Sequence, residues 1–296
     1  MEREMNISCI ILNYNDPLTT RGLVEAVRGY EALDSIVIVD NCSTDNSREI
    51  LKELEGGKIH FIAAEKNGGY GYGNNQGIRY ALSELHATHV LVANPDVEFS
   101  EACIETMKRA FLKIERLGVA ACVAVNPAGE VQPFSWKLHG LLGDLLDTGL
   151  VTRRLFGKFL TPHPERDRSR THVFVDAVPG SLFLADGKAF LECGLYDEEV
   201  FLYYEEKILG LKMKEKGYRT VLLTKCHYVH HHSVSISKNI TSIRKKQEIL
   251  HESKLHYYKK YLRISPVEEW TARTVLHIII AEIRFLTEVL GMSWET

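Results

Sequence analysis

The amino-acid sequence predicts an α/β protein in which a mostly parallel central sheet is flanked by helices and followed by a C-terminal helical extension. Two observations support this fold class. Over residues 6–125, short apolar segments alternate with helical patterns, which is typical of parallel strands buried on both faces. From about residue 240 onward the pattern is helical only. We therefore expect an α/β domain over residues 1–235 and a helical extension over residues 236–296.

The elements of the α/β part follow from the spacing of apolar residues and from residues that start or end helices. Apolar segments predict five strands, at 7–12, 35–39, 59–63, 89–93 and 119–125. Helices are predicted between them, at 17–29, 43–55, 73–85 and 101–117. Side-chain oxygens of Ser43, Thr44 and Asp45 are expected to cap the start of the second helix.

The regular alternation stops in residues 126–172, which hold four of the eight prolines and a basic cluster at 166–170. We expect long loops here, with one or two short helices around 138–150, and loops of this length are usually functional or mobile. Regular structure then resumes, with strands at 173–175, 181–185 and 219–224, a helix at 205–216, and two terminal helices broken near Ser265-Pro266.

The composition is that of an ordinary globular protein, with 45% hydrophobic and 25% charged residues. A formal net charge of -3 provides no basic field, so we expect no nucleic-acid partner. Six cysteines without a CxxC pair are typical of reduced thiols and favour a cytoplasmic location. The charged start, Met1–Asn6, predicts no signal peptide, and no segment reaches the ~18 uncharged apolar residues of a membrane span.

Polar clusters follow the first four predicted strands. The clusters are Asn13–Asp16, Asp40–Asp45, Asn67–Asn75 and Asn94–Asp96. Because the carboxyl ends of parallel strands meet at one edge of a sheet, we expect these clusters to share that edge. The sequence therefore predicts a ligand-binding site at this edge.

Each cluster has a functional and a structural interpretation. Asp40 has a carboxylate that could accept the ring N–H of a pyrimidine base, or it could begin a turn capped by Ser43. Asp96 could hold a divalent cation, or it could end a strand before a helix. The glycines of 68–73 permit a close approach of backbone to ligand, but their spacing lacks the dinucleotide fingerprint, which disfavours an oxidoreductase.

Seven motifs occur along residues 5–235 in a recognisable order. They are Leu12–Asn15, Val39–Ser47, Asn67–Gly77, Asn94–Asp96, Pro179–Ala185, Phe201–Glu206 and Val229–Ser233. Together they resemble the successive motifs of family 2 inverting glycosyltransferases, and in particular the rhamnosyltransferase-like branch. The resemblance implies a GT-A fold, a nucleotide-sugar donor, and Mg²⁺ or Mn²⁺ as cofactor.

The resemblance also implies donor-binding and metal-binding residues. Asp96 matches the last carboxylate of the family's metal motif, whose first position is Asn94 here. A family histidine by the metal-bound diphosphate falls on His230, with His231 as second choice. The nucleotide-binding residues implied by position are Asn13, Asn15, Asp40, Asn67, Gly68, Asn74 and Asn94.

The catalytic residues implied by the resemblance are the adjacent acids Glu205 and Glu206. Glu206 matches the general base, which takes the proton of the attacking acceptor hydroxyl. Without the resemblance, both acids could simply complement the helix dipole at a helix start. The sequence also departs from the family pattern, because Ile208 occupies a position that is often acidic.

The resemblance places Asp176 and Gly180 on the acceptor side, and acceptor selectivity is expected from Trp136 and the 126–172 segment. The expected acceptor is a cell-surface polysaccharide or a lipid-linked oligosaccharide, and the expected donor is dTDP-L-rhamnose. A UDP-hexose or UDP-galactofuranose donor is an alternative, as is a non-catalytic binder of sugar nucleotides. Nucleotidyl transfer is disfavoured because residues 13–18 lack a glycine-rich loop with a basic residue.

The last predicted helix, over residues 270–290, carries apolar residues with charges interspersed. It is expected to pack on the body of the protein or on a second subunit, as in a homodimer. The alternative is peripheral binding at the inner face of a membrane, near a lipid-linked acceptor.

Overall fold

The computed structural model describes residues 5–132, 137–160, 169–231 and 242–285. The chain divides into two compact units, which consist of Met1–Trp136 with His163–Asn239 and of Lys137–Pro162 with Ile240–Thr296. The expected domain boundary at residue 235 lies outside the described residues, as do Trp136 and the motif residues 232–233.

The first unit contains all strands of the described chain and six of its helices. The strands are β1 (Ile7–Asn13), β2 (Ser35–Asp40), β3 (Ile59–Ala63), β4 (His89–Ala93), β5 (Val97–Glu98), β6 (Leu117–Val125), β7 (Val173–Val175), β8 (Leu182–Asp186) and β9 (Arg219–His230). The helices of the whole described chain are α1 (Pro17–Val27), α2 (Ser47–Lys52), α3 (Tyr70–Ser83), α4 (Glu101–Lys113), α5 (Leu141–Thr148), α6 (Leu150–Leu160), α7 (Gly187–Glu192), α8 (Glu205–Glu215), α9 (Ile243–Lys260) and α10 (Pro266–Arg284).

One mixed sheet organises the first unit, with the strand order β3-β2-β1-β4-β8-β6-β9-β5 and β7 paired to β9. The pairs β1–β2, β1–β4, β2–β3 and β6–β9 are parallel. Strand β8 runs antiparallel to both β4 and β6, and β5 and β7 run antiparallel to β9. Most of the described strands thus share one direction, which confirms the predicted mostly parallel sheet, and β8 is the antiparallel strand inserted in its middle.

Apolar side chains cover both faces of this sheet. Successive residues of β1 alternate between the two faces, so that Cys9 and Ile11 join one core cluster and Ile10 joins the other. The strands are almost continuously apolar because each face of the sheet packs against helices.

Several element boundaries differ from those that the sequence pattern predicts. Helix α3 begins at Tyr70, three residues before the predicted start, so most of the glycine motif is helical. Helix α4 ends at Lys113 and β6 begins at Leu117, because the chain reverses at Arg116 with a φ of 54°. Helix α7 was not predicted, and β9 continues beyond the predicted end at residue 224 to His230.

The predicted cap of α2 is only partly present. The helix begins at Ser47, and its N-cap residue Asn46 makes no side-chain capping bond. Asp45 accepts a hydrogen bond from the Ser47 backbone N–H at 3.0 Å. Ser43 is not a cap, because its hydroxyl donates to Asp40 instead.

The second unit is helical in its described residues and comprises α5, α6, α9 and α10. Its interior holds a buried polar group, in which Asp144 accepts from the Tyr258 hydroxyl at 2.7 Å and faces the Lys254 ammonium at 3.5 Å. A capping box between Ser265 and Glu268 starts α10. Helix α5 lies where one or two short helices were expected, around 138–150, whereas α6 occupies residues that were expected to form a loop.

Helix α10 buries one apolar stripe and exposes another. Leu276, Ile279 and Ile283 are buried, whereas Trp270 and Ile278 are largely exposed. Among the described residues, no helix combines the length and the apolar character that crossing a bilayer requires.

Replacement of Gly69 tests the backbone geometry at the start of α3. Gly69 has φ 92° and ψ -175°, a conformation almost restricted to glycine, and an added Cβ would overlap the Phe201 carbonyl oxygen. We expect Gly69→Ala to lower the free energy of unfolding by about 2–4 kcal/mol in chemical denaturation. Gly22→Ala is the matched control, because Gly22 lies within α1 and an added Cβ meets no atom within 4 Å. The control is expected to be neutral or slightly stabilising, and equal losses in both variants would contradict the account.

Candidate active site

The ends of β1 and β2 are joined by polar side chains. The Asp40 carboxylate accepts hydrogen bonds from the Asn13 amide at 2.9 Å and from the Ser43 hydroxyl at 2.6 Å. It also accepts from the Ser43 backbone N–H at 3.1 Å, which is the turn that the structural interpretation of Asp40 predicts. The Asn15 side chain accepts from the Thr44 backbone N–H at 2.8 Å. Five predicted site and motif residues thus form one hydrogen-bonded corner. The buried Asp40 retains acceptor capacity because a carboxylate has about four lone-pair directions.

The loop before α3 is fixed against this corner. Asn41, next to Asp40, donates to the Asn67 side-chain oxygen at 3.1 Å and to the Gly69 carbonyl at 3.1 Å. Asn67 in turn accepts from the Gly69 backbone N–H. The buried Asn74 donates to the Tyr70 carbonyl one helical turn earlier. Of the predicted nucleotide-binding residues in this stretch, Asn67 therefore shapes the loop and Asn74 serves the helix.

Glycines in this stretch make room for protein atoms. A Cβ at Gly68 would overlap the Tyr72 side chain, and a Cβ at Gly73 would overlap Leu12 at the end of β1. The glycines were expected to permit a close approach of the backbone to a ligand. At these two positions they permit a close approach between two parts of the chain instead.

Tyr70 connects the β4 end to the catalytic candidates. Its hydroxyl donates to the Gly180 carbonyl at 2.7 Å and lies 3.3 Å from the Asn94 side-chain oxygen. The backbone N–H of Asn94 donates to Ser181 at 2.8 Å, and the backbone N–H of Gly180 donates to Glu206 Oε1 at 3.4 Å. Three predicted site residues, Asn94, Gly180 and Glu206, are thereby brought together around a tyrosine that the sequence pattern did not single out.

The two adjacent acids at the start of α8 differ in accessibility. Glu205 is buried, and its Oε2 has no hydrogen-bond partner within the part of the chain that the structure describes. Burial, and then the charge of Glu206, raise the pKa of Glu205 to about 8. Glu206 is only half-buried, and its pKa is raised by burial, while backbone N–H groups of Glu206 and Gly180 and the charge of Lys207 oppose the shift. Glu206 is therefore the more accessible member of the pair.

The backbone before α8 is strained. Tyr203 and Tyr204 both adopt the left-handed conformation, with φ 71° and 72°. Two consecutive tyrosines in this region carry a steric cost, and such strain is found mainly where surrounding structure fixes a functional geometry. The sequence shows no glycine or asparagine there, so this feature could not be predicted from it.

The Asp96 carboxylate faces an imidazole. His230 Nε2 lies 3.4 Å from Asp96 Oδ1, and both side chains are largely buried. The pairing of β5 with the end of β9 produces this contact, because Val97 lies opposite His230. The neighbouring His231 turns the other way and pairs with Glu98 at 2.6 Å, on the exposed side. Of the two histidines that the sequence could not distinguish, His230 is the one that lies beside Asp96.

The other two predicted acceptor residues are Asp176 and Trp136. Asp176 forms an ion pair with Lys214 of α8 at 2.9 Å. Trp136 lies outside the described residues. Ile208, where the family pattern often has an acid, is buried in the apolar packing of α8 and does not present a polar group.

Residues 8–179, more than half of the chain, match the family Glycosyl transferase family 2. The chain therefore belongs to glycosyl transferase family 2, and it spans about three fifths of the length of the first relative it matches. It is 28% identical over 211 residues to the low-salt glycan biosynthesis hexosyltransferase Agl10 of Haloferax volcanii, covering 68% of this chain and 59% of that relative. It is 24% identical over 216 residues to the N-acetylglucosaminyl-diphospho-decaprenol L-rhamnosyltransferase of Mycobacterium tuberculosis, covering 70% of each chain.

Solved structures with the same fold are more distant in sequence. The mannosyltransferase PcManGT of Pyrobaculum calidifontis, solved with GDP-Man and Mn²⁺, aligns with a TM-score of 0.61 at 13% identity and covers 99% of this chain and 77% of that one. GalNAc-T7, solved with UDP, GalNAc and Mn²⁺, aligns with a TM-score of 0.59 at 14% identity and covers 96% of this chain and 58% of that one. These neighbours have the GT-A fold, which confirms the predicted fold.

The raised pKa of Glu205 predicts how stability depends on pH. The folded chain holds the Glu205 proton at pH values where the unfolded chain has released it, so the wild type loses stability as pH rises from 4.5 toward about 8. We expect Glu205→Gln, a neutral mimic of the protonated acid, to remove part of this loss. In urea titrations, the variant should gain at least about 1 kcal/mol relative to wild type between pH 5 and pH 8.

The control is Glu215→Gln, at the exposed end of the same helix. Its difference from wild type is expected to stay constant over the same pH range. A constant difference for Glu205→Gln as well would show that Glu205 ionises normally in the folded protein.

Proposed function

We propose that this protein is an inverting, metal-dependent glycosyltransferase in which Asp96 and His230 hold the cation and Glu206 is the general base. The proposal rests on a set of contacts at one edge of the sheet. The strands and loops at this edge are hydrogen-bonded to one another, and they carry Asp40, Asn94, Asp96 and Glu206. Neighbouring strands are about 4.8 Å apart, so the ends of β2 and β4, with β1 between them, lie about 10 Å from each other. This spacing suits a nucleoside diphosphate that reaches from Asp40 to Asp96.

The donor atoms at Asp96 fit a divalent cation of the Mg²⁺ or Mn²⁺ class. A carboxylate oxygen and an imidazole nitrogen, 3.4 Å apart and largely buried, can act as ligands of one ion. One protein carboxylate suffices when diphosphate oxygens and waters supply the remaining ligands. A cation bound there neutralises charge on the nucleoside diphosphate as it leaves. Mn²⁺ in the two solved neighbours supports this assignment.

Glu206 is positioned to act on the acceptor. In a single displacement, the acceptor hydroxyl oxygen forms a bond to the anomeric carbon, the bond to the diphosphate oxygen breaks, and the hydroxyl proton moves to the Glu206 carboxylate. A raised pKa makes this carboxylate a better proton acceptor. The Gly180 backbone N–H and, through Gly180, the Tyr70 hydroxyl fix its position. Glu205, which is buried and has a pKa of about 8, is not the group assigned to take this proton.

The finer substrate assignment rests on relatives. We propose dTDP-L-rhamnose as donor and a lipid-linked or polysaccharide acceptor, because one relative is named as a rhamnosyltransferase that acts on N-acetylglucosaminyl-diphospho-decaprenol. A pyrimidine base agrees with Asp40, whose carboxylate can accept a ring N–H. The hexosyltransferase relative keeps a UDP-hexose or UDP-galactofuranose donor as the alternative.

Glu206→Gln tests the general base. The substitution keeps the size and the oxygen that accepts from Gly180, but it removes the proton acceptor. We expect turnover to fall by about 100-fold or more while donor binding, measured by calorimetry, stays within about twofold. Glu215→Gln, on the same helix and exposed, is expected to keep wild-type turnover. Wild-type turnover in Glu206→Gln would show that another group takes the proton.

Substitutions of His230 and Asp96, with His231 as the control, test the cation site. His230→Ala and Asp96→Ala remove the two facing donors, so we expect both to weaken Mn²⁺-dependent binding of the nucleoside diphosphate by about tenfold or more. His231→Ala is the matched control, because His231 pairs with exposed Glu98, and its binding should equal wild type. Calorimetry with and without Mn²⁺ measures the effect. If His231→Ala loses binding and His230→Ala does not, the assignment is reversed.

A further inference from the structure

Three of the six cysteines converge in the interior of the first unit. Cys103 on α4, Cys122 on β6 and Cys226 on β9 have Sγ atoms that all lie within 4.8 Å of one another. Each comes from a different element, so no local sequence spacing marks the group. We call these three residues the thiol cluster.

The three cysteines of the thiol cluster differ in burial. Cys103 and Cys122 are buried, whereas Cys226 is only partly buried. Cys103 donates to the His227 carbonyl at 3.3 Å, and the Ser100 hydroxyl lies 3.7 Å from its sulfur. The cluster thus has two buried cysteines, a hydroxyl beside one of them, and a third cysteine that is partly exposed.

Cys226 reaches the cluster through an irregularity in β9. In the pairing of β6 with β9, Cys122 lies opposite Leu223, but the next residue, Val123, lies opposite His227. Residues 224–226 are therefore extra residues on β9 that bulge out of the ladder, and Cys226 is the last of them. Bulges commonly re-aim a side chain, and this one directs a thiol toward α4.

Cys9 and Cys193, the other two buried cysteines, can be compared with the thiol cluster. Burial raises the pKa of Cys9 to about 12 and raises that of Cys193, as expected for isolated thiols among apolar groups. In the thiol cluster, hydrogen bonds from the Cys122 and Cys226 thiols lower the pKa of Cys103 instead. Chance packing of small apolar side chains explains Cys9 and Cys193, but three thiols whose sulfurs all lie within 4.8 Å of one another form a donor set.

We infer that Cys103, Cys122 and Cys226 form a binding site for one thiophilic metal ion, with Zn²⁺ as the representative ion. Tetrahedral Zn²⁺ has Zn–S distances of about 2.3 Å, which place its sulfur ligands about 3.8 Å apart. The cluster sulfurs need to approach by at most about 1 Å to reach this spacing. On binding, three thiols release three protons, and a water entering beside Cys226 supplies the fourth ligand.

This site differs in chemistry from the Asp96–His230 pair. Three thiolates select soft ions such as Zn²⁺, whereas a carboxylate with diphosphate oxygens suits Mg²⁺ or Mn²⁺. The ion would join α4 to the bulge of β9, four residues before His230. Its role would be to hold the register of the end of β9.

Cadmium titration of the reduced full-length protein in excess Mg²⁺ tests the site. Only thiolate ligands give the ultraviolet sulfur-to-cadmium charge-transfer band, so binding at Asp96 contributes nothing to it. We expect the band to saturate at one equivalent of Cd²⁺ and to be competed away by Zn²⁺. Cys42→Ser, which removes an exposed thiol outside the cluster, should leave the titration unchanged. Cys226→Ser, at the partly exposed position, should reduce the band per equivalent by about a third or more, since one of the three thiolates is lost.

X-ray absorption at the zinc edge gives a second readout that needs no variant. We expect three sulfur neighbours for the first equivalent of Zn²⁺ bound to the wild type. Absence of the charge-transfer band, an unchanged band in a Cys226→Ser protein with native circular dichroism, or a zinc shell of nitrogen and oxygen atoms would each overturn the inference.

Discussion

The register of three parallel strands is the constraint on which the rest of the site depends. Asn13 at the end of β1 pairs with Asp40 at the end of β2, and Ile11 pairs with Ala93 at the end of β4. The strands therefore stop at nearly the same level, and every loop that follows them begins at one edge of the sheet. A shift of one residue in either pairing would turn Asp40 or Asn94 toward the opposite face. Apolar side chains on both faces hold this register.

The loops at this edge support each other through polar side chains. Asp40 is held by Asn13 and Ser43, and the loop before α3 is held by Asn41. Several polar residues that a sequence motif would assign to a ligand thus bind other protein groups first. Such contacts fix the positions of the atoms that remain available, which is the preorganisation that binding and catalysis require. Residues of the family 2 motifs thus build the loops at this edge through contacts with one another.

The sequence predicts those features that depend on local pattern, and it misses those that depend on tertiary contact. Strands such as β3 and β4 have the predicted bounds, because a buried strand reads as a short apolar run. The antiparallel direction of β8 and the bulge in β9 depend on strand pairing, which no local pattern contains. Tyr70 was part of a recognised motif, but its bond to Gly180 crosses 110 positions of the chain. His230 and His231 were indistinguishable until the pairing of β5 with β9 separated them.

In the proposed site, a cation anchored at Asp96 carries the diphosphate of a nucleotide whose base lies at Asp40. The most direct measurement is the anomalous scattering of manganese in crystals grown with Mn²⁺ and a pyrimidine nucleoside diphosphate. We expect a manganese peak at coordination distance from the Asp96 carboxylate and from His230 Nε2, with the base beside Asp40. A manganese peak bound elsewhere, or a nucleotide whose diphosphate lies away from Asp96, would contradict it.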